Sequence, residues 1–106
     1  MANICTNDGQ IEFLDNVSSD FKIKVLKKFK EEFAEYSMMD ETKTDDVEGL
    51  KHFSVGFESK WDVPSHELLK FCKDNNVTIR GVSVEQGCGY FACWVISPLE
   101  SSIHLA

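Results

Sequence analysis

The chain has little positive charge, no long apolar run and no closely spaced cysteine pair. Its 11 Lys and Arg stand against 18 Asp and Glu, so the formal net charge is −7 over 106 residues. A surface of that sign repels nucleic-acid phosphates and anionic lipid, so direct nucleic-acid binding is not expected. It favours a partner protein that carries a basic surface.

Neither a signal peptide nor a membrane span is predicted. The first 16 residues lack the basic start and the apolar run of a secretory leader. No window approaches the roughly 20 apolar residues that cross a bilayer. We therefore expect a cytoplasmic protein, with no membrane partner and with reduced cysteines.

The cysteine pattern does not indicate a metal site. The four residues are Cys5, Cys72, Cys88 and Cys93, and no two of them form a C-x-x-C pair. A zinc site made by Cys5, Cys88, Cys93 and a histidine is the alternative, but this spacing is not that of a zinc motif. Small buried thiols are the simpler interpretation, so we expect neither a metal nor another cofactor.

The length favours one domain that covers residues 1–106. Apolar alternation predicts a short strand at 10–13 and a clear strand at 50–61, whose apolar face ends at Trp61 as a core anchor. An apolar stripe with helical spacing predicts a helix capped by Ser18 or Ser19. Pro64 starts a second helix that Asp62 caps.

Two further strands follow, at 77–85 and 90–97. The apolar positions of the first change phase at Gly81, which indicates a bulge there. Pro98 ends the last strand, and 98–106 reads as a C-terminal tail.

The segment 37–49 reads as an acidic loop without a clear period. Carboxylates beside flexible thioethers suit a basic partner, and the alternative is a loop that is simply solvated. The proposed partner-binding residues are Glu35, Met38, Met39, Asp40, Glu41, Asp45, Asp46 and Glu48.

The last strand is apolar on both faces, since Phe91, Cys93 and Val95 alternate with an equally apolar set. A half-exposed strand should alternate with polar residues. The strand is therefore either covered on both faces or leaves one face for a partner. For the second case, Tyr90, Phe91, Cys93 and Val95 are predicted to form a sheet-face or homodimer interface.

No catalytic arrangement is visible, so an enzyme is not expected. The three histidines fall on separate predicted elements, and Gly87–Gly89 is too short to hold a phosphate. One alternative is a thiol- or metal-dependent enzyme that uses Cys88. Another is a single-stranded nucleic-acid-binding module that stacks bases on Tyr90 and Phe91.

Three short motifs resemble the YubB-type ferredoxin-like family of phages and plasmids. Residues 1–7 read Met-Ala-Asn-Ile-Cys-Thr-Asn, where the family has Met-Pro-Asn-Trp-Cys-x-Asn. Residues 57–64 read Phe-Glu-Ser-Lys-Trp-Asp-Val-Pro and resemble its aromatic-x-(Ser/Thr)-x-Trp-x-x-Pro stretch. Residues 85–92 read Glu-Gln-Gly-Cys-Gly-Tyr-Phe-Ala and resemble its glycine hairpin. Ile4 departs from the family's Trp, and the middle of the chain is shorter and more acidic.

The resemblance implies an α+β fold of the ferredoxin-like type, with a four-stranded antiparallel sheet and two helices packed on one face. It implies no catalytic residues. Together with the charge, it suggests a non-enzymatic accessory protein of a phage or plasmid. Such a protein would bind and inhibit a host protein, for example a defence or nucleic-acid-binding component, in the cytoplasm of the host cell.

Overall fold

One antiparallel sheet and two helices make up the part of the chain that the computed structural model describes, which is residues 4–14, 17–33, 52–87 and 89–105. The elements follow in the order β1 (Ile4–Glu12), α1 (Ser19–Phe33), β2 (His52–Lys60), α2 (Ser65–Asn75), β3 (Thr78–Glu85), β4 (Tyr90–Ile96) and β5 (Ser101–Leu105).

The sheet has five strands in the order β2-β1-β3-β4-β5, and all neighbours are antiparallel. The α+β class is thus confirmed, but the prediction of a four-stranded ferredoxin-like sheet is wrong. The fifth strand comes from the predicted tail. The Ser97 N–H donates to the Glu100 carbonyl at 2.9 Å, so Pro98 lies in a tight turn that returns the chain along β4.

Both helices pack on the same face of the sheet through aromatic side chains. The ring of Phe29 in α1 lies 5.5 Å from that of Phe57 in β2 and 5.4 Å from that of Phe71 in α2. The Ser18 hydroxyl accepts the N–H of Phe21 at 3.2 Å, which confirms the predicted cap. These rings stabilise the core through burial and edge-to-face contact.

The connection from β2 to α2 differs from the prediction. Trp61 is 51% exposed rather than a core anchor, because the chain turns sharply after Lys60. The Asp62 N–H donates to the Lys60 carbonyl at 2.8 Å, and Trp61 takes a φ of 71° between them. Pro64 directly precedes α2, and no side chain caps this helix, so the Asp62 cap is also wrong.

Strand β3 runs without a bulge. Its register with β1 is continuous, with Gly9 opposite Gly81 and Asp8 opposite Val82. The change of apolar phase at Gly81 arises because Val82 and Val84 lie on the face of the sheet away from the helices. The predicted bulge is therefore wrong, and the pattern instead reflects a second apolar surface.

Candidate functional site: the open face of the sheet

The face of the sheet opposite the helices is not covered by any described residue, and we call it the open face. Since successive side chains in a strand point to opposite sides, every second residue belongs to it. The buried positions of β4 are Ala92, Trp94 and Ile96, which leaves Phe91, Cys93 and Val95 on the open face. Of the two possibilities for this strand, the geometry of the described residues fits the one in which an apolar face is left free.

Five side chains on β3 and β4 form a contiguous patch, which we call the apolar patch. Its members are Val82, Val84, Phe91, Cys93 and Val95. Phe91 pairs in register with Val84, and Cys93 pairs with Val82. Phe91 is 41% exposed, Val95 40% and Val82 38%. Side chains in register on one face lie about 5 Å apart, so the five make one surface. Large apolar side chains grouped in this way mark interaction sites more often than scattered ones.

Polar side chains flank the apolar patch on both sides. Asp8 on β1 is next to Val82, and His104 on β5 is next to Cys93. Arg80 holds the Glu12 carboxylate at 2.6 Å, whereas no salt bridge joins Asp8 to a described residue. A carboxylate with no ion pair to a described residue, beside apolar side chains, can bind a cation of a partner.

A shallow depression crosses the open face over all five strands, with a volume of about 650 Å³. Its lining includes Asp8, Arg80, Val82, Val95 and His104. Gly56 contributes to the hollow because it places no side chain on the β2 part of the face. The depression therefore joins charged side chains of both signs, Asp8 and Arg80, to an apolar side.

A chain of buried hydrogen bonds holds four strands together beneath this face. The Trp94 indole N–H donates to the Ser83 hydroxyl at 2.7 Å, and Ser83 donates to the Asn7 amide oxygen at 2.5 Å. The Asn7 amide donates to the Ser59 hydroxyl at 2.9 Å, and Ser59 donates to the Asp62 carbonyl at 2.6 Å. Every donor in this network has an acceptor, and the Asn7 amide also donates to the Phe57 carbonyl at 3.2 Å, so the network favours one arrangement of the strands.

Two facing glycines let β1 and β3 approach closely under the Trp94 ring. A Cβ on Gly9 would lie 2.8 Å from the Arg80 carbonyl oxygen and 3.2 Å from the Trp94 ring. A Cβ on Gly81 would lie 2.8 Å from the same ring and would overlap the Asp8 carbonyl oxygen. The indole therefore lies across both strands, on the opposite side of the sheet from the depression.

The predicted interface residues fall on both sides of the sheet. Phe91, Cys93 and Val95 come together on the open face, while Tyr90 is half-buried on the helix side and packs against the core. Burial raises the pKa of the Tyr90 phenol. Tyr90 thus cannot contact the same partner surface as the other three.

The other predicted site residues lie outside the described ranges. These are the acidic-loop residues Glu35, Met38, Met39, Asp40, Glu41, Asp45, Asp46 and Glu48, together with Cys88.

The cysteines that the structure describes differ in access. Cys5 and Cys72 are buried, and burial raises the pKa of both thiols, that of Cys72 to about 12. Buried thiols held in the protonated form are weak nucleophiles. Cys93 is exposed on the open face opposite His104. No group of three or more metal-ligating side chains occurs among the described residues.

Sequence reasoning missed the polar residues that shape the site, although a signal existed for some. Asn7, Ser59 and Ser83 occupy positions where the strand alternation places core side chains, so a polar residue there predicts a buried hydrogen bond. Asp8 and Arg80 carried no comparable signal, because charged residues on a polar face are ordinary.

The chain was compared with family models, with curated proteins and with solved structures, and none of these comparisons gives a match. No helix in the described ranges is long and apolar enough to cross a membrane.

Proposed function

We propose that this chain is a non-enzymatic protein-binding module that binds a basic partner protein over its open face and thereby inhibits it. The observation that carries the proposal is the apolar patch with the Asp8 carboxylate at its side. An interface usually joins an apolar centre, where aromatic residues dominate the binding energy, to a polar rim. Phe91 and Val95 supply the apolar centre, and Asp8 supplies a charged position at the edge of the patch, beside Val82.

Charge supports a basic partner. The net charge of −7 attracts cationic surfaces at long range and raises the association rate. A Lys or Arg of the partner beside Asp8 would then contribute specificity at short range. The resemblance to phage and plasmid proteins supports a host protein as the partner and inhibition as the result.

The binding energy expected from Phe91 follows from its exposure. A Phe side chain offers roughly 200 Å² in total, and 41% of it is accessible. Covering about 80 Å² at roughly 25 cal/mol per Å² is worth about 2 kcal/mol, or roughly 30-fold in affinity. Removing the Phe91 ring should therefore weaken binding by about that factor.

The experiment begins with a photo-crosslinking amino acid at position 95, which identifies proteins that contact the open face in a host lysate. The purified partner is then titrated against the wild-type chain, Phe91→Ala and Asp8→Lys by calorimetry. Leu99→Ala is the matched control, because Leu99 is 91% exposed but lies in the β4–β5 turn. Circular dichroism verifies that each variant is folded.

The proposal requires that Phe91→Ala and Asp8→Lys weaken binding while Leu99→Ala does not, and that added salt weakens the complex. It also requires that the partner loses activity when the wild-type chain binds. Equal affinities for all four proteins would refute the open face as the binding site. Binding without any effect on the partner would refute inhibition and leave a binding module.

A further inference from the structure

We infer that β5 pairs with β5 of a second copy of this chain, so that two five-stranded sheets join into one. This inference goes beyond the proposed function and depends on different residues, namely the edge strand Ser101–Leu105 rather than the apolar patch.

The turn before β5 determines which backbone groups face outward. The Ser97 N–H bonds to the Glu100 carbonyl, so these two residues form a hydrogen-bonded pair. Hydrogen-bonded pairs alternate along an antiparallel ladder. With Val95 opposite Ser102 and Cys93 opposite His104, the backbone groups of Ser102 and His104 point to β4. Those of Ser101, Ile103 and Leu105 therefore point away from the sheet.

This edge has none of the usual features that block strand addition. Natural edge strands are protected by charged side chains, proline, bulges or covering segments. Ser101–Leu105 contains no Lys, Arg, Asp, Glu or Pro, its register with β4 is continuous, and no described strand lies beyond it. None of its three outward N–H and C=O pairs bonds to a described residue, so they can pair with another strand.

The side chains of β5 fit a second β5 in particular. Ile103 and Leu105 lie on the helix side of the sheet beside the buried Trp94 and Ala92, yet they are 37% and 70% exposed. A neighbouring strand that presents apolar residues on that side and polar ones on the other would continue the core. Since β5 itself has this alternation, a second copy meets the requirement.

The symmetric register is free of like-charge contacts. When two copies pair antiparallel about Ile103, Ile103 lies opposite its own copy, and Ser101 lies opposite Leu105. On the open face His104 then lies opposite Ser102, which avoids two facing histidines. Each outward hydrogen-bonded pair exchanges two bonds, as isologous two-fold pairing requires.

The dimer is expected to be weak. Five residues extend about 17 Å, so edge pairing alone covers far less than the roughly 800 Å² per partner of a stable interface. Each copy also carries a net charge of −7, which repels the other. Added salt should screen this repulsion and strengthen the dimer, whereas it should weaken a complex with a basic partner.

The test measures the mass and the amide exchange of the wild-type chain from about 20 µM to about 2 mM, a range that covers weak association. Sedimentation should show a monomer that becomes a dimer as concentration rises. The amides of Ile103 and Leu105 should exchange at least several-fold more slowly in the dimer. Those of Ser102 and His104 should be protected at every concentration, because they bond to β4.

Ile103→Pro removes the central outward N–H and leaves the bonds to β4 intact, since an edge strand tolerates proline with its nitrogen outward. It should remain a monomer with Ser102 and His104 protected, while the control Ile103→Val should dimerise like the wild type. If the proline variant loses that protection, Ile103→Lys replaces it, because it keeps every backbone donor but places two ammonium groups side by side.

A monomer at all concentrations overturns the inference. So does a dimer that Phe91→Ala abolishes and Ile103→Pro or Ile103→Lys leaves unchanged, since that result would assign self-association to the open face. A monomer leaves the proposed function unaffected. Its own test distinguishes it in either case, because that test uses the basic partner and expects the opposite salt dependence.

Discussion

The close approach of β1 and β3 predicts that two glycines on the strands either side of β1, Gly81 and Gly56, respond differently to the same substitution. Gly81→Ala places a methyl group between paired strands, where it would overlap the Asp8 carbonyl oxygen and lie 2.8 Å from the Gly9 Cα. Gly56→Ala places the methyl on the open face, where the nearest atom is an Asp8 carboxylate oxygen at 3.4 Å. Both residues are strand glycines, so intrinsic strand preference is matched between them.

The loss of stability expected for Gly81→Ala depends on which atoms have to move. Carbon atoms in contact lie about 3.5–4.0 Å apart, so the Gly81 methyl is roughly 1 Å too close to the Gly9 backbone. A backbone atom in a paired strand cannot rotate away as a side chain can. Overpacking of a core costs about 1–3 kcal/mol and occasionally more, and here the strands themselves must separate. We expect Gly81→Ala to lower the free energy of unfolding by about 3 kcal/mol or more.

Gly56→Ala should instead be neutral or raise stability by about 0.4–1 kcal/mol, because the methyl fits and the unfolded chain loses freedom. Urea unfolding gives both values directly. A thermal melt should show a decrease of at least about 12 °C for Gly81→Ala, since 1 kcal/mol shifts Tm by roughly 4–8 °C in a domain near this size.

A further variant tests the reason for the difference. The Trp94 ring also lies 2.8 Å from the added methyl, so Trp94→Phe would restore Gly81→Ala if the ring were the main obstacle. We expect no restoration, because the contact with the β1 backbone remains. A Gly81→Ala protein within about 1 kcal/mol of the wild type would refute the close strand approach itself.

Two other predictions concern buried groups. Because burial raises the pKa of the Cys72 thiol to about 12, folding favours its protonated form. The stabilisation is complete below the unfolded thiol's pKa of 9.0 and is lost as pH rises towards about 12. Between about pH 8 and about pH 10, urea unfolding should show a loss of stability that is about 1 kcal/mol larger for the wild type than for Cys72→Ala, and equal losses would contradict this. For the hydrogen bond between Trp94 and Ser83 at 2.7 Å, a double-mutant cycle of Trp94→Phe and Ser83→Ala should give a coupling of about 1 kcal/mol, and zero coupling would mean that the bond does not contribute.

Sequence patterns correctly predicted the helix and strand whose residues form them through local interactions. The helix after Ser18 was recognisable from its cap and apolar stripe, and the strand through Phe57 from its alternation. The predictions that were wrong depended on tertiary contacts. Pro98 reads as the end of a strand, yet a proline also suits the second residue of a four-residue tight turn, which is its place here. Only the contact between Ser97 and Glu100 distinguishes a turn that continues the sheet from a terminal tail.

The sequence predicted which residues of β4 share the apolar patch but not that the patch is exposed. Alternation identifies the two faces of a strand, so Phe91, Cys93 and Val95 could be grouped without a structure. The same rule separates Tyr90 from them, because adjacent residues cannot share a face. Whether a face is covered depends on where the helices pack, and no pattern within one strand contains that information.

Gly81 fits two structural interpretations that the sequence alone does not distinguish. A glycine at a change of apolar phase is typical of a bulge, and it is equally typical of a close approach by another backbone. In this chain Gly9 lies opposite it and Trp94 lies across both. The valine that follows, Val82, keeps the regular alternation and therefore lies on the open face. The phase change thus marks a second apolar face, on which Val82 and Val84 continue the patch on β4. If the proposed function holds, a charged residue at Val82 should leave the fold intact by circular dichroism and weaken partner binding in the calorimetric titration, as is expected for Phe91→Ala.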